Sequence, residues 1–305
     1  MPIKIPGTLP AFGILENENI FVMTEKRATT QDIRPLKIVI LNLMPTKIVT
    51  ETQLLRLLSN SPLQVELTLM KTASYTSKNT PGEHLTSFYR EFDEIRDERF
   101  DGLIVTGAPV EDLAFEQVAY WDELCRIFEW SKTNVYSSLF ICWASFAALY
   151  HFYGIEKQQL SRKLSGVYKH RVTMPSHPLV RGFDEVFYAP HSRKTAVEPD
   201  DLRCAQALDI LADSAEAGIY LAAGHDMRQI FVTGHPEYDY DTLKNEYLRD
   251  LSRGLAPSLP ENYFPYDNPE NRPVNYWKGH ANLLYSNWLN YFVYQRTPFD
   301  LSQLQ

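Results

Sequence analysis

Apolar, β-branched runs alternate with helical patterns through the first half of the chain, and that alternation restricts the fold more than any other feature. Residues 36–43 (Leu-Lys-Ile-Val-Ile-Leu-Asn-Leu) form the short, nearly continuous apolar run that a strand needs when both faces of its sheet are covered. After a turn at Met44-Pro45-Thr46-Lys47, residues 50–58 place Leu54, Leu55, Leu57 and Leu58 on one broad helical face, and Asn60-Ser61-Pro62 stops it. Residues 63–69 then alternate with period two, which completes a βαβ opening. The pattern recurs: 103–106 reads as a strand closed by Gly107-Ala108-Pro109, 121–130 as an amphipathic helix, 135–141 as a strand and 144–153 as a helix. Strands joined through helices predict an α/β fold with a doubly wound, flavodoxin-like, mostly parallel sheet. Sites in that architecture lie outside the carboxyl ends of the strands.

From Tyr168 onward the pattern is less regular, with Pro175, Pro178 and Pro190 expected in loops. Residues 218–222 and 228–233 read as a hairpin around Gly224-His225-Asp226, and 241–252 as a helix ended by Gly254. The Pro- and Asn-rich stretch 257–273 is expected as a surface loop, and 281–294 as an aromatic-rich last helix. No repeat or linker divides the chain. The expected organisation is an N-terminal extension (1–35), a catalytic α/β domain (36–256), and a C-terminal loop and helix (257–305) packed on that domain.

Composition removes several function classes. With 30 basic against 38 acidic residues the 305-residue chain carries a formal charge of −8, which opposes the phosphate neutralisation that nucleic-acid binding needs. The longest nearly apolar run, 139–150, is well short of the roughly 18 residues of a membrane span, so no membrane partner is expected. The start of the chain has no apolar leader followed by a small-residue cleavage site, so a cytoplasmic location is expected. Three cysteines without a C-x-x-C pair argue against a disulfide framework and a structural zinc site, and no metal is expected.

Cys142 stands directly after the 135–141 strand and directly before a helix, the setting of a nucleophile elbow. Free N–H groups at a helix start favour a thiolate there. Taken alone, a free cysteine is more often a packing residue, and that reading is kept for Cys125 and Cys204. A second strand end shifts the balance. Gly234-His235-Pro236-Glu237-Tyr238 follows the 228–233 strand, so His235 can take a proton from a thiol while Glu237 orients the ring. Otherwise Glu237 would serve as an acid in the first turn of the following helix. At a third strand end the backbone N–H of Ala108, with that of Trp143, could stabilise an oxyanion, at about 3 kcal/mol per donor. There is no G-x-G-x-x-G, no phosphate-binding G-x-x-x-x-G-K-[ST] and no H-E-x-x-H, so bound redox cofactors and zinc hydrolysis lose support. Acyl transfer through a thioester is the chemistry these residues suggest.

Several blocks carry a resemblance: Asn42-Leu43-Met44-Pro45-Thr46-Lys47, Glu51 with Gln53-Leu54-Leu55-Arg56-Leu57-Leu58, and Phe100 through Glu111. Phe140-Ile141-Cys142-Trp143-Ala144, Ala189-Pro190-His191-Ser192-Arg193, Gly234-His235-Pro236-Glu237-Tyr238 and Ser286-Asn287-Trp288-Leu289-Asn290-Tyr291 complete it. Over nearly its whole length the chain resembles the homoserine O-acyltransferase family of methionine biosynthesis, the branch with a class I glutamine amidotransferase-like fold. The resemblance implies that Cys142 is the acyl-thioester nucleophile, His235 its proton acceptor and Glu237 the third member of the triad. It implies that Lys163, Ser192 and Arg249 hold the amino-acid acceptor and that Lys47 lies near the reacting acyl group. Without it, Arg249 would read as an i,i+3 partner of Glu246 on a solvated helix face, Lys163 as a surface charge and Ser192 as a loop hydroxyl.

In this family a carboxylate at the position of Glu111 goes with acetyl-CoA and a small residue with succinyl-CoA. The physics agrees, because a glutamate fills the space and repels a distal carboxylate. The resemblance therefore implies acetyl transfer from acetyl-CoA to the hydroxyl of L-homoserine, with no bound cofactor and a homodimeric assembly. One departure is local: the elbow continues Ala144-Ser145-Phe146, where the family usually has a Gly or Ala followed by Ala-Gln. The same scaffold also supports serine O-acetylation, succinyl transfer to homoserine, glutamine amidotransfer and non-catalytic binding. Assays of CoA and ammonia release separate these.

Overall fold

The computed structural model describes residues 3–17, 22–23, 34–75, 79–298 and 300–304. Its strands are β1 (Ile3–Lys4), β2 (Val22–Met23), β3 (Leu36–Leu41), β4 (Val65–Lys71), β5 (Tyr89–Glu91) and β6 (Phe100–Val105). They continue as β7 (Val135–Ile141), β8 (Gln158–Val172), β9 (Val186–Ala196), β10 (Leu208–Ser214), β11 (Gly218–Gly224) and β12 (Gln229–Val232). All join one sheet in the order β2-β1-β4-β3-β6-β7-β12-β11-β10-β8-β9, with β5 added on β4. The centre, β4-β3-β6-β7-β12, is parallel. From β12 outward through β11, β10, β8 and β9 the pairing is antiparallel.

The helices are α1 (Pro10–Asn17), α2 (Lys47–Leu58), α3 (Gly82–Phe88), α4 (Phe92–Ile95), α5 (Trp121–Asn134), α6 (Trp143–Tyr153), α7 (Pro199–Cys204), α8 (Thr242–Ser252) and α9 (Lys278–Asn287). Side-chain alternation explains their placement. Ile38 and Ile40 of β3 join a core with Leu54 and Leu55 of α2 and with Leu284 and Trp288. Val39 and Leu41, pointing the other way, join a second core with Leu124 and Phe128 of α5 and Phe146 of α6. Both faces of the central sheet are thus covered, as the unbroken apolar run of 36–43 requires.

The last helix begins earlier than expected, at Lys278, and its final turns, Trp288–Tyr294, widen to π geometry. The indole of Trp288 lies flat enough on the sheet to donate to Ser137 Oγ at 3.0 Å. A glycine makes this possible: a Cβ at Gly102 would fall 2.8 Å from Ile38 Cδ1 and 3.0 Å from the Trp288 ring.

Three expectations are corrected. Pro190 is inside β9, not in a loop, and β8 and β9 form a long hairpin where no strand was expected. The polar, largely exposed first half of β8 carries no apolar period, and Pro190 sits on the edge strand, where a missing N–H is tolerated. The 257–273 stretch is more than surface. Tyr263 and Phe264 are buried with Trp277 and Leu243, and the Glu261 backbone bonds Ser165 and Val167 of β8 at 2.9 Å. Finally, Cys204 is exposed, not packed, and Cys125 is half-buried.

Candidate active site

Cys142 directly follows the end of β7 and caps α6, and it bears the strain of the turn itself, with φ 51° and ψ −118°. Positive φ is costly for a residue with a Cβ, by about 1–3 kcal/mol, and is a mark of the nucleophile elbow. Ala144, inside the helix, takes none of it. Neighbouring groups hold the turn in place: the Cys142 N–H donates to the Val232 carbonyl at 2.7 Å, and its carbonyl accepts from Ser145 N (2.9 Å) and Ser145 Oγ (2.6 Å). The loop after β6 closes on the thiol, since a Cβ at Gly107 would lie 3.2 Å from Cys142 Cβ and 3.7 Å from its Sγ.

The same imaginary atom lies 3.5 Å from His235 Cε1, so three strand ends meet here. His235 N–H donates to the Pro190 carbonyl of β9 at 2.9 Å, and its Nδ1 is 2.7 Å from Glu237 Oε1. The carboxylate orients the ring and does not act as a helix-start acid. Cys142 Sγ and the imidazole edge both lie within 4 Å of one point at Gly107. Burial alone would lower the His235 pKa, but the charges on Cys142 and Glu237 and the hydrogen bond to Glu237 outweigh it, holding the imidazolium well above its ordinary range. Tyr238 stacks on the ring at 4.0 Å between centroids.

Tyr238 leads to a charged cluster. Its hydroxyl donates to Glu246 Oε1 at 2.8 Å, and Ser192 Oγ donates to Glu246 Oε2. Lys163 Nζ is 3.5 Å from both Glu246 Oε2 and Asp250 Oδ2, and Arg249 pairs with Asp250 at 2.8 Å. The structure therefore gathers Lys163, Ser192 and Arg249 around two carboxylates of α8. Arg249 does not pair with Glu246 along the helix, because Glu246 is turned toward Ser192 and Tyr238. Glu246 and Tyr238 were missed as site residues, and only the spacing of Glu246, three residues before Arg249, hinted at the first.

Glu111 lies beyond Gly107 and reaches across to β9, accepting from Lys194 N (3.0 Å) and Thr195 Oγ1 (3.2 Å). Burial raises its pKa against those bonds and against the positive charges of Arg193 and His235. Arg193 is a third missed residue. Only 2% exposed, it donates to the carbonyls of Thr195 and Ala217, and its guanidinium sits 5.6 Å over the Phe146 ring. Phe146, the departure in the elbow sequence, thus supplies an aromatic face for a buried cation.

Lys47 lies apart from this charged cluster. Its Nζ donates to the Asn42 carbonyl and sits 5.7 Å over the Tyr89 ring. Tyr89 donates to Glu51 at 2.5 Å, and His84 bonds the same carboxylate at 3.0 Å. Burial lowers the Lys47 pKa to about 8, with Glu51 pulling it back up. Among the described residues no group of His, Cys, Asp and Glu side chains could hold a metal ion, and no helix is long and apolar enough to cross a membrane.

This sheet order, with a cysteine elbow and a His-x-Glu at the next strand end, defines an α/β protein of the class I glutamine amidotransferase-like fold. A glutamine amidotransferase from Thermotoga maritima superposes over 84% of this chain and 98% of its own, with a TM-score of 0.54 at 10% identity. A second, from Methylobacillus flagellatus, gives 0.52 over 85% of this chain and 95% of its own, also at 10% identity. Within that class the chain belongs to the homoserine O-acyltransferase family, whose profile, described as "HTS: Homoserine O-succinyltransferase", matches residues 2–299. A relative named homoserine O-acetyltransferase from Acetivibrio thermocellus is 60% identical over 305 residues, the whole of both chains. Another of that name, from Clostridium acetobutylicum, is 59% identical over 99% of this chain and 100% of its own. A relative named homoserine O-succinyltransferase, from Tolumonas auensis, is 58% identical over 100% of this chain and 96% of its own.

Proposed function

We propose that the protein is a homoserine O-acetyltransferase of methionine biosynthesis, working in the cytoplasm by a ping-pong mechanism through a thioester on Cys142. The observation that carries this reading is the convergence of Cys142 and His235 where three strand ends meet, with the His235 ring held by Glu237. The thiolate adds to the acetyl carbonyl of acetyl-CoA, and the N–H groups of Trp143 and Ala108 face the developing oxyanion. Trp143 is the first helical residue, so its N–H has no acceptor within the helix. Collapse of the intermediate expels CoA thiolate, which takes the proton from His235. Homoserine then binds, the neutral imidazole removes its hydroxyl proton, the oxygen attacks the thioester, and Cys142 leaves as thiolate. No bound cofactor is needed for any step.

Acceptor and donor are read from different neighbours. A free amino acid carries an ammonium and a carboxylate, and the cluster beside Tyr238 offers both signs, Glu246 for the first and Lys163 with Arg249 for the second. For the donor, relatives at 58% and 60% identity bear the succinyl and the acetyl name, so overall similarity does not separate the two. The half-buried Glu111 carboxylate supports the acetyl donor, because it occupies volume and repels a distal carboxylate. The edge strand β9 leaves Val186 and Tyr188 exposed, with Tyr188 against Tyr276, and we assign this apolar surface to a homodimer contact, which sedimentation would test.

The central test is intact mass. Protein mixed with acetyl-CoA alone should gain one acetyl group on Cys142 and release CoA. Full turnover with an unchanged mass would overturn the covalent mechanism. Crossing acetyl-CoA and succinyl-CoA with homoserine and serine fixes donor and acceptor.

A further inference from the structure

A cleft of about 350 Å³ opens beyond the ends of β4, β3 and β6, on the side of β7 away from β12. Pro109, Val110, Val118 and Tyr120 form apolar walls, and the charged lining is Lys47 with an ion pair of Lys71 and Glu91. Nothing in the thioester chemistry above uses it. Yet one loop joins it to the site: Gly107 abuts Cys142, Pro109 and Val110 line the cleft, and Glu111 turns to Thr195. Trp143, next to the nucleophile, packs edge-on against Tyr120 of the wall, and its buried Nε1 has no partner.

We infer that this cleft receives the pantetheine arm of the acyl-CoA donor, with the thioester at Cys142 and the phosphates toward the lysines. The inference rests on the acetyl-CoA reading and adds where the donor lies. An amino-acid acceptor needs both an anion and a cation to greet it, and those are gathered on the β12 side, around Glu246 and Lys163. The cleft instead has extended apolar walls, and its two lysines outnumber its one carboxylate, Glu91, which pairs with Lys71. An arm of methylenes, a gem-dimethyl group and two amides, ending in phosphates, matches that surface. The volume lies at the lower end of the roughly 300–1,000 Å³ of small-molecule sites, so it suits the arm and leaves the adenine nucleotide outside.

Ala119 and Leu113 line the cleft from exposed positions, so both can be changed without entering the core. The test compares acetyl-CoA with S-acetyl-N-acetylcysteamine, a donor that lacks most of the arm, in the full-length protein. Ala119→Trp should lower the kcat/KM preference for acetyl-CoA over the short donor by roughly tenfold or more, with the KM for acetyl-CoA rising. Leu113→Glu, which sets a carboxylate where phosphates approach, should do the same. An unchanged preference in both variants, or a rise in the homoserine KM in place of the acetyl-CoA KM, would overturn the assignment. Calorimetric titration of CoA into the wild type and Ala119→Trp keeps the two readings apart. Weaker CoA binding in the variant supports the cleft even if no acetyl is transferred, and equal binding refutes it even if transfer proceeds.

Discussion

Two charged side chains make individual predictions possible, because burial sets the behaviour of each. Glu111 is fixed by Lys194 and Thr195 beside the proposed acyl site. Glu111→Gly removes both bulk and charge, so it should admit succinyl-CoA and move the acetyl-to-succinyl kcat/KM ratio by at least about tenfold, some 1.4 kcal/mol. A variant that gains no succinyl transfer would remove the steric and electrostatic argument. Lys47 should titrate at about 8, not the usual 10.5, in NMR of lysine-labelled protein. Glu51 raises that value, so Glu51→Gln should lower it further, and an upward shift would contradict the account. The unfolded chain keeps this proton up to about 10.5 and the folded one only to about 8, so the group adds stability as pH rises through that window. Lys47→Met should abolish that rise. At this scale the grouping of Cys142, His235 and Glu237 was readable because Cys142 and His235 each follow a strand end, whereas the contacts of Arg193 and Glu246 were not. Their roles depend on which neighbours a long side chain meets after folding.

At the scale of elements, the same distinction holds for a different reason. The parallel strands could be read because a strand covered on both faces must be largely apolar, as β3 and β6 are beyond Lys37 and Asp101 near their starts. The β8–β9 hairpin could not, since a half-exposed edge imposes no such pattern and Pro190 misleads. The 257–273 stretch hid Tyr263 and Phe264, its two anchors, among turn formers. Trp288 shows what the sequence pattern could not specify: that an aromatic helix lies on Gly102. Gly102→Ala should force the indole away from Ser137 and lower stability by about 1–3 kcal/mol, seen as a lower denaturant midpoint with little change in the slope. A midpoint equal to the wild type would mean that the helix is not pressed on the sheet there.

For the whole molecule, topology places the proposed donor cleft and the Glu246–Lys163 cluster on opposite sides of one strand, since β7 lies between β6 and β12. The net charge of −8 is no obstacle to an anionic donor there, because two lysines line the cleft against the single carboxylate of Glu91, while Glu246 and Asp250 are across the strand. This arrangement has a kinetic consequence. If the acetyl-enzyme forms on the donor side alone, labelled CoA should exchange into acetyl-CoA with no homoserine present. Lys163→Met, on the acceptor side, should then slow acetylation of homoserine by roughly tenfold or more while leaving that exchange within about twofold of wild type. Exchange that requires homoserine would show that both substrates must be bound together, and the division of the site across β7 would not be the basis of its catalysis.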